Sequence, residues 1–102
     1  MPRIIYTQTA LADLVRLRDF LKSKSPEASK RAVSVIQKAI EKTAVFPDRF
    51  RPVPELTHYR EIIIDFGGSG YIARFRYKEG EDIYIVRIKH QLENDGSYDN
   101  NN

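Results

Sequence analysis

The second half of the chain constrains the fold most. Tyr59 to Phe66, Gly70 to Lys78 and Asp82 to Lys89 are three successive runs of β-branched and aromatic residues. Only Gly67-Gly68-Ser69-Gly70 and Glu79-Gly80-Glu81 separate them, and both are turn compositions. Strands joined so tightly can only run back and forth, so the pattern predicts an antiparallel meander. In the middle strand the two-residue period places Tyr71, Ala73, Phe75 and Tyr77 on one face and Ile72, Arg74, Arg76 and Lys78 on the other. One face suits a core and the other is basic, so something apolar must cover the first.

Two helical patterns upstream supply that cover. Ala10, Leu11, Leu14, Leu17 and Leu21, with Val15 and Phe20 beside them, recur at threes and fours up to about Lys24, with Thr7 or Thr9 available as cap. Ser25-Pro26 then fits the cap and first residue of a second helix, because proline suits a first helical turn and the residue before it avoids helical angles. Its apolar face runs through Ala28, Ala32, Val33, Val35, Ile36, Ala39, Ile40 and Thr43 to about Ala44. So short a connection predicts an antiparallel helical hairpin.

Arg3 to Thr7 reads as a short opening strand whose place in the sheet the pattern leaves undetermined. Phe46 to Pro54 carries Pro47, Pro52 and Pro54, which excludes a helix or a sheet interior and predicts a basic loop with aromatic anchors. The order is therefore β-α-α-β-β-β, an α+β fold with a helical hairpin on a small, mainly antiparallel sheet. The expected organisation is one domain over residues 1–93, with a polar, flexible tail over 94–102.

A chain of 102 residues buries one modest core, which excludes two-domain enzymes. The absence of cysteine excludes disulfides, a Cys-based zinc site and a cysteine nucleophile. His58 and His90 lie on different elements without flanking carboxylates at ligand spacing, so no metal site is expected. Ser69, between glycines, reads as a turn residue rather than a nucleophile, and no helix follows to make it a phosphate loop. The opening residues have neither a signal-peptide core nor the roughly 20 apolar residues of a membrane span, so the expected address is cytoplasmic and away from membranes.

The chain carries 17 Lys+Arg and 14 Asp+Glu, but Glu93, Asp95 and Asp99 lie beyond residue 90, so residues 1–90 hold 17 basic against 11 acidic residues, a balance of +6. Such a body attracts an acidic protein, an anionic groove or nucleic acid. Arg74, Arg76, Lys78, Arg87, Lys89 and His90 fall on two strands expected to be neighbours, and Arg49 and Arg51 can face the same side. Three readings are open for them: solvated outward residues of a half-exposed sheet, a protein-binding face, or the cations and proton-transfer group of a metal-free ribonuclease.

The whole pattern resembles the RelE/ParE toxin superfamily of type II toxin–antitoxin systems, and more closely its ParE branch. The resemblance rests on Ala10-x-x-Asp13-Leu14, Pro26-x-Ala28-x-x-Arg31, Phe46-Pro47 and Tyr59-Arg60-Glu61-Ile62. It is stronger in Gly70-Tyr71-Ile72-Ala73-Arg74-Phe75-Arg76-Tyr77 and in Val86-Arg87-Ile88-Lys89-His90-Gln91-x-Glu93, with Gly96 and Tyr98 trailing. Nuclease members of the superfamily cleave ribosome-bound mRNA and use an arginine directly after the tyrosine of the Gly-Tyr motif. Here that position is Ile72, and the segment after the last strand is acidic.

The resemblance therefore implies a toxin of a plasmid-stabilisation type, one that inhibits DNA gyrase and blocks replication without catalytic residues or a cofactor. The alternative is a RelE-like ribosome-dependent mRNA endonuclease, for which His90 and Tyr98 stand near suitable places; a third is a degenerate member that only forms a complex. The implied partner is an acidic antitoxin that folds as it wraps the toxin. Leu14, Leu17 and Leu21 are the candidates for its groove. DNA would be reached only through the antitoxin, and a homodimer of the toxin on its own remains an option. Arg74, Arg76, Lys89 and His90 are the candidates for toxic action through charge complementarity to gyrase.

Overall fold

The structure is a computed structural model that describes residues 2–93. The expected tail from Asn94 onward, with Gly96 and Tyr98, lies outside the described residues. The elements are β1 (Ile4–Tyr6), α1 (Gln8–Lys22), α2 (Pro26–Glu41), β2 (Arg51–Pro52), β3 (Tyr59–Phe66), β4 (Ser69–Arg76) and β5 (Ile83–His90). Two short 3-10 turns, Lys42–Ala44 and Pro47–Arg49, join α2 to β2. The five-stranded sheet runs β1-β5-β4-β3-β2.

The helices start where side-chain oxygens can take up their unpaired N–H groups. Thr7 Oγ1 accepts the Ala10 N–H at 3.1 Å, and Ser25 Oγ accepts that of Ala28 at 3.2 Å, with Pro26 in the first turn. Ser29 Oγ donates to the Arg18 carbonyl at 2.9 Å, which binds the two helices of the hairpin together. The second helix stops at Glu41, earlier than expected, and Thr43 is buried in the following turn with its hydroxyl on the Ile40 carbonyl at 2.6 Å.

β3, β4 and β5 form the expected meander. The opening strand takes its place at the sheet's edge, parallel to β5, with Ile4 opposite Ile83 and Tyr6 opposite Ile85. Arg3 fastens this end, donating to Asp82 from its backbone N at 3.1 Å and from Nη2 at 3.0 Å; these bonds hold the Asp82 carboxyl below the usual carboxylate range. The proline loop contributes a further two-residue strand, β2, which pairs with Glu61 and Arg60 of β3 at the other edge, where a missing proline N–H costs nothing. Phe50 is the loop's anchor, edge-on to Phe75 at 5.8 Å. Phe46 is not an anchor: it is 75% exposed, with a left-handed φ of 55°.

Both helices cover one face of the sheet, α1 against β5 and α2 against β3. Ala10, Leu17, Ala32, Ile36 and Ile40 meet Ile62, Ile64, Tyr71, Ala73, Phe75, Ile83, Ile85 and Ile88 in the core. A bulge in β5 makes this possible. Phe75 stands opposite Ile85 but its neighbour Arg74 stands opposite Arg87, leaving Val86 as the extra residue. With strict alternation Arg87 would follow Ile83 and Ile85 into the core; the bulge puts Ile88 there instead.

Candidate functional site

The basic face is built on cross-strand neighbours. Glu61 on β3 pairs with Arg74 on β4, and its Oε2 receives Arg74 Nη2 at 2.9 Å and Nε at 3.1 Å. The other oxygen of Glu61 receives Arg51 Nη2 at 2.9 Å, so one carboxylate lies between two guanidinium groups. Arg76 lies farther along β4 and meets Glu81 at 3.3 Å. The structure thus brings Arg74 and Arg76 to one outward face with Arg51. Lys89 requires a correction: it shares that face through its partner Ile72, yet it is 2% exposed and not a solvated outward residue.

A second polar centre lies where β1 ends. β1 covers the β5 edge as far as Ile85; beyond it, among the described residues, side chains take the place of a strand. Asp13 Oδ2 accepts the Ile88 N–H at 2.8 Å, Arg16 Nη2 donates to the Ile88 carbonyl at 3.3 Å, and Glu93 Oε1 accepts the His90 N–H at 2.8 Å. Asp13 also meets Arg87 Nε at 2.9 Å and Arg16 Nη2 at 3.3 Å. Asp13 is 5% exposed, so a carboxylate buried in α1 is balanced by two guanidinium groups and a backbone N–H.

His90 is held at both ring nitrogens. Nδ1 accepts the Leu92 N–H at 3.0 Å, which places the ring proton on Nε2, and Nε2 donates to Ser69 Oγ at 2.9 Å. Tyr71 packs edge-on against the ring at 5.2 Å. In this tautomer His90 cannot take a proton from Ser69, because it is already giving one. Ser69 itself is the first residue of β4 and not a turn residue; the turn is Gly67-Gly68, where Gly67 takes a φ of 61°. Among the described residues no three His, Asp or Glu side chains converge as metal ligands.

Between α1 and the end of β5 lies a groove of about 510 Å³, lined by Arg16, Leu17, Phe20, Leu21, Tyr71, His90, Leu92 and Glu93. Leu17 and Leu21 line it; Leu14 packs against the core and is not part of the lining. Its floor is buried Tyr71 and Leu17, while Phe20 is 62% and Leu92 80% exposed at the rim. Burial pushes the Tyr71 hydroxyl above its ordinary value. Sequence reading missed Phe20 and Leu92 as rim residues. The available signal was Phe20 one helical position from Leu21, with Lys24 a turn later; the Lys24 ammonium lies 5.1 Å from the Phe20 ring centroid.

Residues 4–95 match the family model for the ParE toxin of the type II toxin–antitoxin system parDE. The chain is 33% identical over 84 residues to Toxin RelE3 of Caulobacter vibrioides, covering 82% of this chain and 88% of that one. It is 33% identical over 90 residues to Toxin RelE1 of the same organism, covering 88% and 94%. Among solved structures, the one described as a chromosomal ParDE TA system from P. aeruginosa superimposes with a TM-score of 0.74 at 26% identity. The match covers 88% of this chain and 96% of the other.

Proposed function

The chain belongs to the ParE toxin family of type II toxin–antitoxin systems, and from that premise we propose that it arrests growth by binding DNA gyrase in the cytoplasm, without catalysing a reaction. The observation that carries this reading is the His90 ring. Both nitrogens are engaged with Leu92 and Ser69, so the side chain best suited to moving a 2′-OH proton is engaged as a structural link. Ile72, in place of an arginine, adds to this. Arg74 and Arg76, both half-buried, are the proposed gyrase contacts, through charge complementarity on the outward face of β4. The antitoxin, in this reading, is an acidic segment that orders as it covers the groove beside Leu17 and Leu21. Any contact with DNA is made through it.

The second reading, a ribosome-dependent mRNA endonuclease, is favoured by the RelE names of the two Caulobacter relatives. Induction of the toxin alone, with parallel pulse-labelling of DNA and protein synthesis, separates the two. The gyrase reading requires an early block in DNA synthesis with translation continuing, and inhibition of supercoiling by purified gyrase. An early translation block with cleaved ribosome-bound mRNA establishes the endonuclease instead. No arrest at all assigns the chain to complex formation only. Arg74→Glu with Arg76→Glu should abolish arrest at equal soluble expression; retained toxicity removes these two residues from the target interface.

A further inference from the structure

The two charged residues lining the groove are paired with each other. Arg16 Nη1 meets Glu93 Oε2 across the mouth, joining α1 to the turn that follows β5. Among the described residues Arg16 is where the side chains of that turn reach the helix, and the other hydrogen bonds of Leu92 and Glu93 go to His90. Neither partner is sealed off: the Arg16 side chain is 43% exposed and that of Glu93 31%. Arg16 also reaches Asp13 and the Ile88 carbonyl, each at 3.3 Å, so its guanidinium stays in place if Glu93 leaves.

We infer that Glu93 holds, in the toxin alone, the position that a carboxylate of the antitoxin takes in the complex. The antitoxin seats an apolar side chain between Phe20 and Leu92 and exchanges its own acidic group for Glu93 on Arg16. The inference rests on the reading that the antitoxin occupies this groove. Its physical basis is the cost of covering Arg16. A wholly apolar segment would bury the guanidinium's rim and weaken its hydration, whereas a segment with its own carboxylate preserves the pairing while the apolar walls are buried. The +6 balance of residues 1–90 draws such a segment in. The His90 N–H that Glu93 also satisfies lies on the β5 edge, where a peptide lying alongside supplies a carbonyl in its place.

The test is calorimetric titration of the full toxin with the purified antitoxin encoded beside its gene, at fixed ionic strength. Glu93→Gln keeps an oxygen for the His90 N–H and removes the internal competitor, so binding should tighten by roughly threefold to tenfold. Arg16→Gln should weaken it by about tenfold or more, and in that background Glu93→Gln should no longer tighten it. Unchanged or weaker binding by Glu93→Gln overturns the exchange. Phe20→Ala and Leu92→Ala, at exposed positions, report on the groove itself. If they weaken binding while Glu93→Gln does not tighten it, only the exchange fails; if they have no effect, the groove reading fails first and the exchange with it.

Discussion

Asp13 and Ile88 are joined across 75 residues of chain by a bond of 2.8 Å from the Ile88 N–H to Asp13 Oδ2, an oxygen that also meets the Arg87 guanidinium. It closes the β5 edge that β1 is too short to cover, and it ties α1 to the sheet. Asp13 belongs to the sequence pattern through which the family resemblance was read, and its work here is architectural.

Removing that carboxylate leaves the buried Ile88 N–H without its acceptor and takes one partner from each of the Arg16 and Arg87 guanidinium groups. Asp13→Ala should destabilise the toxin by about 3–5 kcal/mol, and Asp13→Asn by less, since the amide oxygen still accepts from Ile88. Urea midpoints of the two variants provide the comparison. A loss below about 1 kcal/mol in Asp13→Ala would show that the edge closes without Asp13.

Gly70 and Gly68 should respond oppositely to alanine. A Cβ at Gly70 collides with the Ile64 carbonyl oxygen across the β3–β4 pairing, whereas one at Gly68 meets nothing within 4 Å. Gly70→Ala should cost about 1–3 kcal/mol and Gly68→Ala less than about 0.5 kcal/mol. Equal melting temperatures for the pair would contradict the close approach of β3 and β4 at this point.

Ser69→Ala takes away the acceptor of the His90 ring proton. If the hydroxyl is structural, the variant should lose about 1 kcal/mol of stability and still arrest growth at matched soluble levels. Loss of toxicity with an intact melting curve would move Ser69 into the working surface.

Two tyrosines set an alkaline limit. Burial raises the hydroxyl pKa of Tyr71, and burial together with the Glu41 charge raises that of Tyr6, both from 10.0. The folded state therefore holds these protons more tightly than the unfolded chain. Their contribution is fully present below about pH 10 and is lost as pH rises through the folded values. Tyr71→Phe should flatten the fall of melting temperature above pH 10, with ultraviolet difference absorbance following the phenolates. An unchanged slope in both Tyr71→Phe and Tyr6→Phe would place the alkaline loss elsewhere.

Most of the architecture was legible because it rests on local chemistry. The β3 boundaries at Tyr59 and Phe66 follow from residue type and flanking turns, and Ser25-Pro26 marks the second helix. The β5 bulge was not, since Ile83 to His90 offers apolar residues in either register, and only Phe75 and Arg74 across the ladder decide that Val86 is the extra one. Lys89 was misjudged for a related reason: a residue's face in a strand says nothing about what else covers that face. Leu17 and Leu21 share the groove because helical spacing holds them on one stripe. Leu92 escaped notice because a turn carries no period.

The pairing of Ile4 with Ile83 also has a temporal side. During synthesis the first strand leaves the ribosome long before the one it must lie beside. At roughly 5–20 residues per second, the intervening chain takes about 4–16 s to make. Through that interval the sheet cannot be completed, and the basic face that spans β4 and β5 has yet to be assembled. The outward basic face is thus among the last parts of the molecule to form.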